Sequence, residues 1–180
     1  MSGSHESPAA GPRVHVERVL PQRADLTVGE VDAILEAAYL ATAADGTLSE
    51  EENEAFRFVA SALRHVAAGG GAGASAKVIG DKDLDSLFAR FAGRSEHAER
   101  GQRVSAMRAR LGRAEVRELA YKVAFAMSLC DLDANEEEEA YDDELVEAFG
   151  IDGERADALA AEVYAALDAD LDRDSEAPPR

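Results

Sequence analysis

Two stretches of this chain decide its fold when laid one over the other. Residues 37–56 read AAYLATAADGTLSEEENEAF, and residues 123–142 read VAFAMSLCDLDANEEEEAYD. At an offset of 86, Asp45 falls on Asp131, Ser49 on Asn135, and Glu50, Glu51 and Glu52 on Glu136, Glu137 and Glu138. In each copy a helix of small apolar residues runs up to an aspartate, a short loop follows, and a capping residue opens an acidic helix. Agreement of role at every position makes this a duplicated helix–loop–helix motif.

Working outward, the first copy has a marked beginning. Thr27 and Glu30 form a capping box, and Leu26 and Val31 take the two positions of a hydrophobic staple. From Val31 through Ile34, Leu35, Ala38, Tyr39, Ala41 and Thr42 the apolar positions run nearly all the way round, the pattern of a central helix. Asp45-Gly46 is a turn pair, and Ser49 with Glu52 is a second capping box. Phe56, Val59, Leu63 and Val66 then give one helical face. Leu84, Leu87, Phe88 and Phe91 predict a short helix from near Asp81. A polar helix from about Ser95 to Leu111 carries Val104, Met107 and Leu111. From Arg113 to Asp131 a second helix is apolar all round. Asn135 caps the next, striped by Tyr141, Leu145 and Phe149 and closed by Gly150. Asp152 caps the last, with Ala156, Leu159, Val163 and Leu167.

The expectation is an all-α chain of about seven helices: a mobile tail over 1–23, one helical domain over 24–171, and a charged tail over 172–180. Inside the domain the glycine-rich stretch 67–80 reads as a linker or insertion. It contains Gly71-x-Gly73-x-x-Ala76, but a helix precedes it and no strand is predicted anywhere. Lys77 follows Ala76 where a phosphate-binding loop needs Gly, so nucleotide binding is rejected.

Composition narrows the function classes. Of 180 residues, 46% are apolar, enough for a core; 37 Asp plus Glu against 19 Lys plus Arg leave a net charge of −18. That field repels phosphate backbones and anionic lipid, so no nucleic acid and no direct membrane insertion are expected, while cations and basic partners are favoured. The single Cys130 excludes a disulfide framework and suits a reducing compartment. No apolar run approaches a membrane span, and the first residues lack a signal peptide's apolar region. A cytoplasmic protein is expected.

The "AADGTLSEEE" stretch and its partner "SLCDLDANEEEE" resemble the TerB-like family, which includes the tellurite-resistance protein TerB and the N-terminal domains of DjlA-type co-chaperones. The resemblance covers roughly residues 24 to 167. It implies an all-helical domain in which acidic residues of the two loops face each other as a metal site. It also implies involvement in stress or tellurite resistance, often near a membrane complex. The sequence departs from the pattern at Leu132, where the first copy has Gly46, and at the glycine-rich stretch 69–74.

Asp45 and Asp131 each lie at a helix C-terminus, against the negative end of the macrodipole. Glu52 and Glu138 sit seven residues on. If the hairpins face one another, four carboxylates meet, and a cation relieves their repulsion. The candidate metal ligands are Asp45, Glu52, Asp131 and Glu138, with Asp133 less central; oxygen-only donors suit Ca²⁺, Mg²⁺ or Mn²⁺. The same residues also have an ordinary structural use: Asp45 shapes a turn, and Glu52 and Glu138 favour helix N-termini. Glu50, Glu51, Glu136, Glu137 and Glu139 read as a solvated face. An EF-hand fails, because Asp131-x-Asp133-x-Asn135 is followed by Glu136 where Gly is needed and Asp142 where Glu is needed. A di-iron bundle fails because no His has a Glu three residues before it.

Catalytic constellations are not found: the four His are scattered, and Cys130 beside Asp131 reads as a core thiol. Tyr39, Tyr121 and Phe125 read as core aromatics. The expected function is a non-catalytic, stress-associated adaptor that binds a divalent cation, uses no organic cofactor and meets a protein partner, either basic or part of a membrane-associated stress complex. The alternative is a structural interaction module with an acidic docking face and no metal.

Overall fold

A computed structural model describes residues 16–42, 49–69, 79–95, 99–130 and 136–168. A 3-10 turn, Val16–Val19, comes first. It is followed by α1 (Val28–Thr42), α2 (Glu50–Ala67), α3 (Asp81–Ser95), α4 (Arg100–Arg110), α5 (Ala114–Ser128), α6 (Glu136–Phe149) and α7 (Gly153–Asp168). Among the described residues the chain is all-helical, without strands, and no helix is long and apolar enough to cross a membrane.

The duplication is structural as well as sequential. Helix α5 begins and ends 86 residues after α1, and α6 begins 86 residues after α2. Helices α1 and α5 form the most extensive helix–helix interface of the protein. Small residues make this possible: Ala33, Ala37 and Ala38 of α1 and Ala120, Ala124 and Ala126 of α5 are fully buried, so the backbones approach closely. Arg113, at the start of α5, donates to Glu30 in the first turn of α1 and to the Asp25 carbonyl. The two helices therefore start side by side, and their long contact makes them run in the same direction. Helix α6 joins the pair through Tyr141, whose buried hydroxyl donates to the Ala37 carbonyl at 3.1 Å.

Several helix ends follow the sequence signals. Glu30 N–H donates to Thr27 Oγ1 at 3.2 Å and Thr27 N–H to Glu30 Oε2 at 2.8 Å, with Leu26 and Val31 both buried beside them. Asp152 Oδ1 accepts from Arg155 N–H at 2.9 Å. Gly150 takes φ +66°, while Ile151 N–H reaches the Val146 carbonyl and Gly150 N–H the Glu147 carbonyl. That pair of bonds is a Schellman closure, and the left-handed position is why glycine stands there.

Three expectations are corrected. The mobile tail expected over 1–23 is not found at its described end, where Val16, Val19 and Leu20 are buried against α2, α5 and α7; residues 1–15 lie outside the described residues. Three apolar side chains spaced by a 3-10 turn are enough to dock it. The polar helix does not start at Ser95. Instead α3 runs on to that residue, and its last turn carries Arg94, which turns inward to a charge partner. Third, α1 is not apolar all round, as described below. Of the glycine-rich stretch, 70–78 lies outside the described residues; beyond it Ile79 is buried and its N–H donates to Ser61 Oγ at 2.9 Å. Tyr121 is buried as expected, stacked on a partly buried Phe125, and Tyr39 is half-buried against Phe88 and Phe91.

Candidate functional site

Of the five candidate ligands, one is fully described. Glu52 is buried in the first turn of α2, where Ser49 N–H donates to its Oε2 at 2.6 Å and its own N–H donates to Ser49 Oγ at 3.1 Å. This is the capping box expected from Ser49 and Glu52, and it fixes the carboxylate at the mouth of the first hairpin. Asp45, Asp131 and Asp133 lie outside the described residues. Glu138 is in the first turn of α6, and its side chain lies outside them as well. Among the described residues, no three His, Cys, Asp or Glu side chains are grouped to hold a metal ion. Cys130 is half-buried, with Sγ 3.5 Å from the Ala126 carbonyl.

The charged centre of the described structure is elsewhere, and the sequence reading missed it. Asp32 and Glu36 stand one turn apart on α1, facing α3 and α4. Glu36 is nearly inaccessible, its side chain 2% exposed, and three guanidiniums converge on it. Arg103 Nε reaches Oε1 at 3.2 Å, Arg110 Nη2 reaches Oε2 at 2.5 Å, and Arg94 Nη1 also bonds Oε2. Asp32 Oδ2 accepts from Arg94 at 2.9 Å and from Arg110 at 2.8 Å, while Arg90 pairs with Oδ1. Arg94 and Arg110 thus each bridge both carboxylates.

Burial by itself would lower the pKa of Arg94, but the Asp32 hydrogen bond and the charges of Glu36 and Asp32 outweigh it and hold the guanidinium above its ordinary value. Glu30 extends the same logic at the start of α1. Its burial favours the protonated acid, but the hydrogen bonds from Thr27 and the Arg113 guanidinium prevail, and its carboxyl stays below the usual range.

Chemically this network pairs charge. Both carboxylates are occupied by guanidiniums. Its effect is to clamp α3 and α4 onto α1 and so hold the central pair in place. A signal was present in the sequence: acids at 32 and 36 and arginines at 90 and 94 share the one-turn spacing of a single helix face. Nothing in the sequence alone says that these two faces meet. Glu36 lies six residues before the end of α1, roughly 9 Å along the axis from where the first hairpin begins. The chain matches none of the protein-family models, curated proteins or solved structures with which it was compared.

Proposed function

We propose that this chain is a TerB-like, non-catalytic helical domain that holds a divalent cation between its two acidic hairpins and acts as a cytoplasmic adaptor in a stress or tellurite response. The observation that carries the reading is the structural duplication. Helices α1 and α5 are matched residue for residue at an offset of 86 and start side by side. Parallel helices of equal length end together, so Thr42 and Ser128 stand at the same end of the pair.

Asp45, Glu52, Asp131 and Glu138, with Asp133, would hold the ion. The donors are all oxygens, which suits Ca²⁺, Mg²⁺ or Mn²⁺. The role of Glu52 as a cap is compatible with this, because the capping bond fixes its carboxylate beside the hairpin. The ion would supply the positive charge that lets carboxylates share one place in a chain of net charge −18. A loaded surface of that kind would then be read by a protein partner.

Thermal unfolding of chelator-treated protein, with Ca²⁺, Mg²⁺, Mn²⁺ and Zn²⁺ added singly, tests the proposal beside an Asp45→Asn, Asp131→Asn double variant. An ion at 100 times its dissociation constant adds about 2.7 kcal/mol to stability. One ion raising the midpoint of the wild type but not of the variant supports the site. Equal effects of every ion on both proteins would reduce the hairpins to an acidic docking face.

A further inference from the structure

Between the N-terminal half of α1, the end of α2 and the middle of α3 lies an open cleft of about 330 Å³. That volume is within the range of small-molecule sites. Its walls are apolar side chains, chiefly Val31, Leu35 and Leu87, and Val28 stands at its rim, 87% exposed. Two guanidiniums line it, Arg64 from α2 and Arg90 from α3, together with Asp32.

The charges decide which occupant fits. Of the charged side chains that line the cleft, Arg64 and Arg90 face one carboxylate, Asp32, which is already paired with Arg90 and shared with Arg94 and Arg110. Arg64 is exposed and has no salt-bridge partner among the described residues. In a chain whose overall charge is −18, this cleft joins an apolar floor to a local excess of positive charge. A neutral hydrophobe would leave Arg64 unanswered, and a cation would be repelled by it. The complement is a molecule with an apolar body and one anionic end.

We propose that the cleft is a binding site for a small amphipathic carboxylate, a free straight-chain monocarboxylic acid, with its chain against Val31, Leu35 and Leu87 and its carboxylate between Arg64 and Arg90. Arginine suits this task because its planar fork meets a carboxylate through two parallel hydrogen bonds. Val28, exposed at the rim, is covered by the bound chain. The site is independent of the acidic hairpins.

Sodium decanoate, kept below its micelle concentration, is titrated into the full chain and followed by calorimetry and by NMR of the Val and Leu methyl groups. The expected result is saturable one-to-one binding with methyl shifts centred on Val28, Val31, Leu35 and Leu87. Arg64→Glu, a change at an exposed position, is expected to weaken binding by about fivefold or more. Ala68→Phe, which puts a ring into the cleft from the exposed end of α2, is expected to abolish it while the unfolding midpoint stays put. Decyltrimethylammonium, of equal chain length and opposite charge, should not compete. Binding of that cation as tight as decanoate, methyl shifts that never saturate, or an unchanged affinity in Arg64→Glu would each overturn the proposal.

Discussion

Replacing Glu36 with alanine tests the energetics of the clamp directly. The Glu36 side chain is 2% exposed and that of Arg103 is 4%, with 3.2 Å between their bonded atoms. Removing the carboxylate leaves the Arg103 guanidinium buried without that counter-charge. Arg94 and Arg110, at 35% and 29% exposure, can turn toward water and lose much less. Taking one partner from a buried pair costs about 3–5 kcal/mol, whereas an exposed pair is worth about 0–1 kcal/mol. The internal control is Asp81→Ala, which removes the 83%-exposed partner of Arg57. Urea unfolding followed by helical circular dichroism is expected to show Glu36→Ala losing about 3–5 kcal/mol and Asp81→Ala less than about 1 kcal/mol. In a thermal melt the Glu36 loss lowers the midpoint by about 2–4 °C per kcal/mol. A Glu36→Leu, Arg103→Leu double variant should regain most of that stability, since the desolvation cost of both charges disappears together. Equal small losses in Glu36→Ala and Asp81→Ala would refute the view that burial makes this cluster costly to break.

Three further outcomes follow from the same geometry. The Glu30 carboxyl is held below its ordinary value, so its contribution is present above the unfolded-state carboxylate range and is lost as pH falls through the folded value. Glu30→Gln should therefore be less stable than wild type at pH 7, with the gap closing in acid unfolding titrations below about pH 4. Gly150→Ala forces a side chain into φ +66° but meets no atom within 4 Å, so the expected loss is the backbone term alone, about 1–2 kcal/mol by denaturant midpoint. Tyr141→Phe removes the buried bond to the Ala37 carbonyl and should cost about 0.5–1.5 kcal/mol, loosening α6 in amide exchange before α5.

What the sequence determined by itself was a set of local caps and turns. Thr27 with Glu30, Ser49 with Glu52, Asp152, and Gly150 with its left-handed turn each act within a few residues of where they are written. The 86-residue repeat was equally legible, because a duplicated motif keeps its capping and apolar pattern even where individual residues change. The tertiary structure alone decided which helix faces meet. Asp32 and Glu36 look like two acids interrupting an apolar helix until α3 and α4 bring Arg90, Arg94, Arg103 and Arg110 to them from 58 to 78 residues away. The short segment Val16–Val19 has too few apolar side chains to announce itself and is held only by the surfaces of α2, α5 and α7. The physical reason is one of range. Caps and turns are closed by bonds between near neighbours in the chain, whereas a buried charge is tolerable only where distant segments supply its partner.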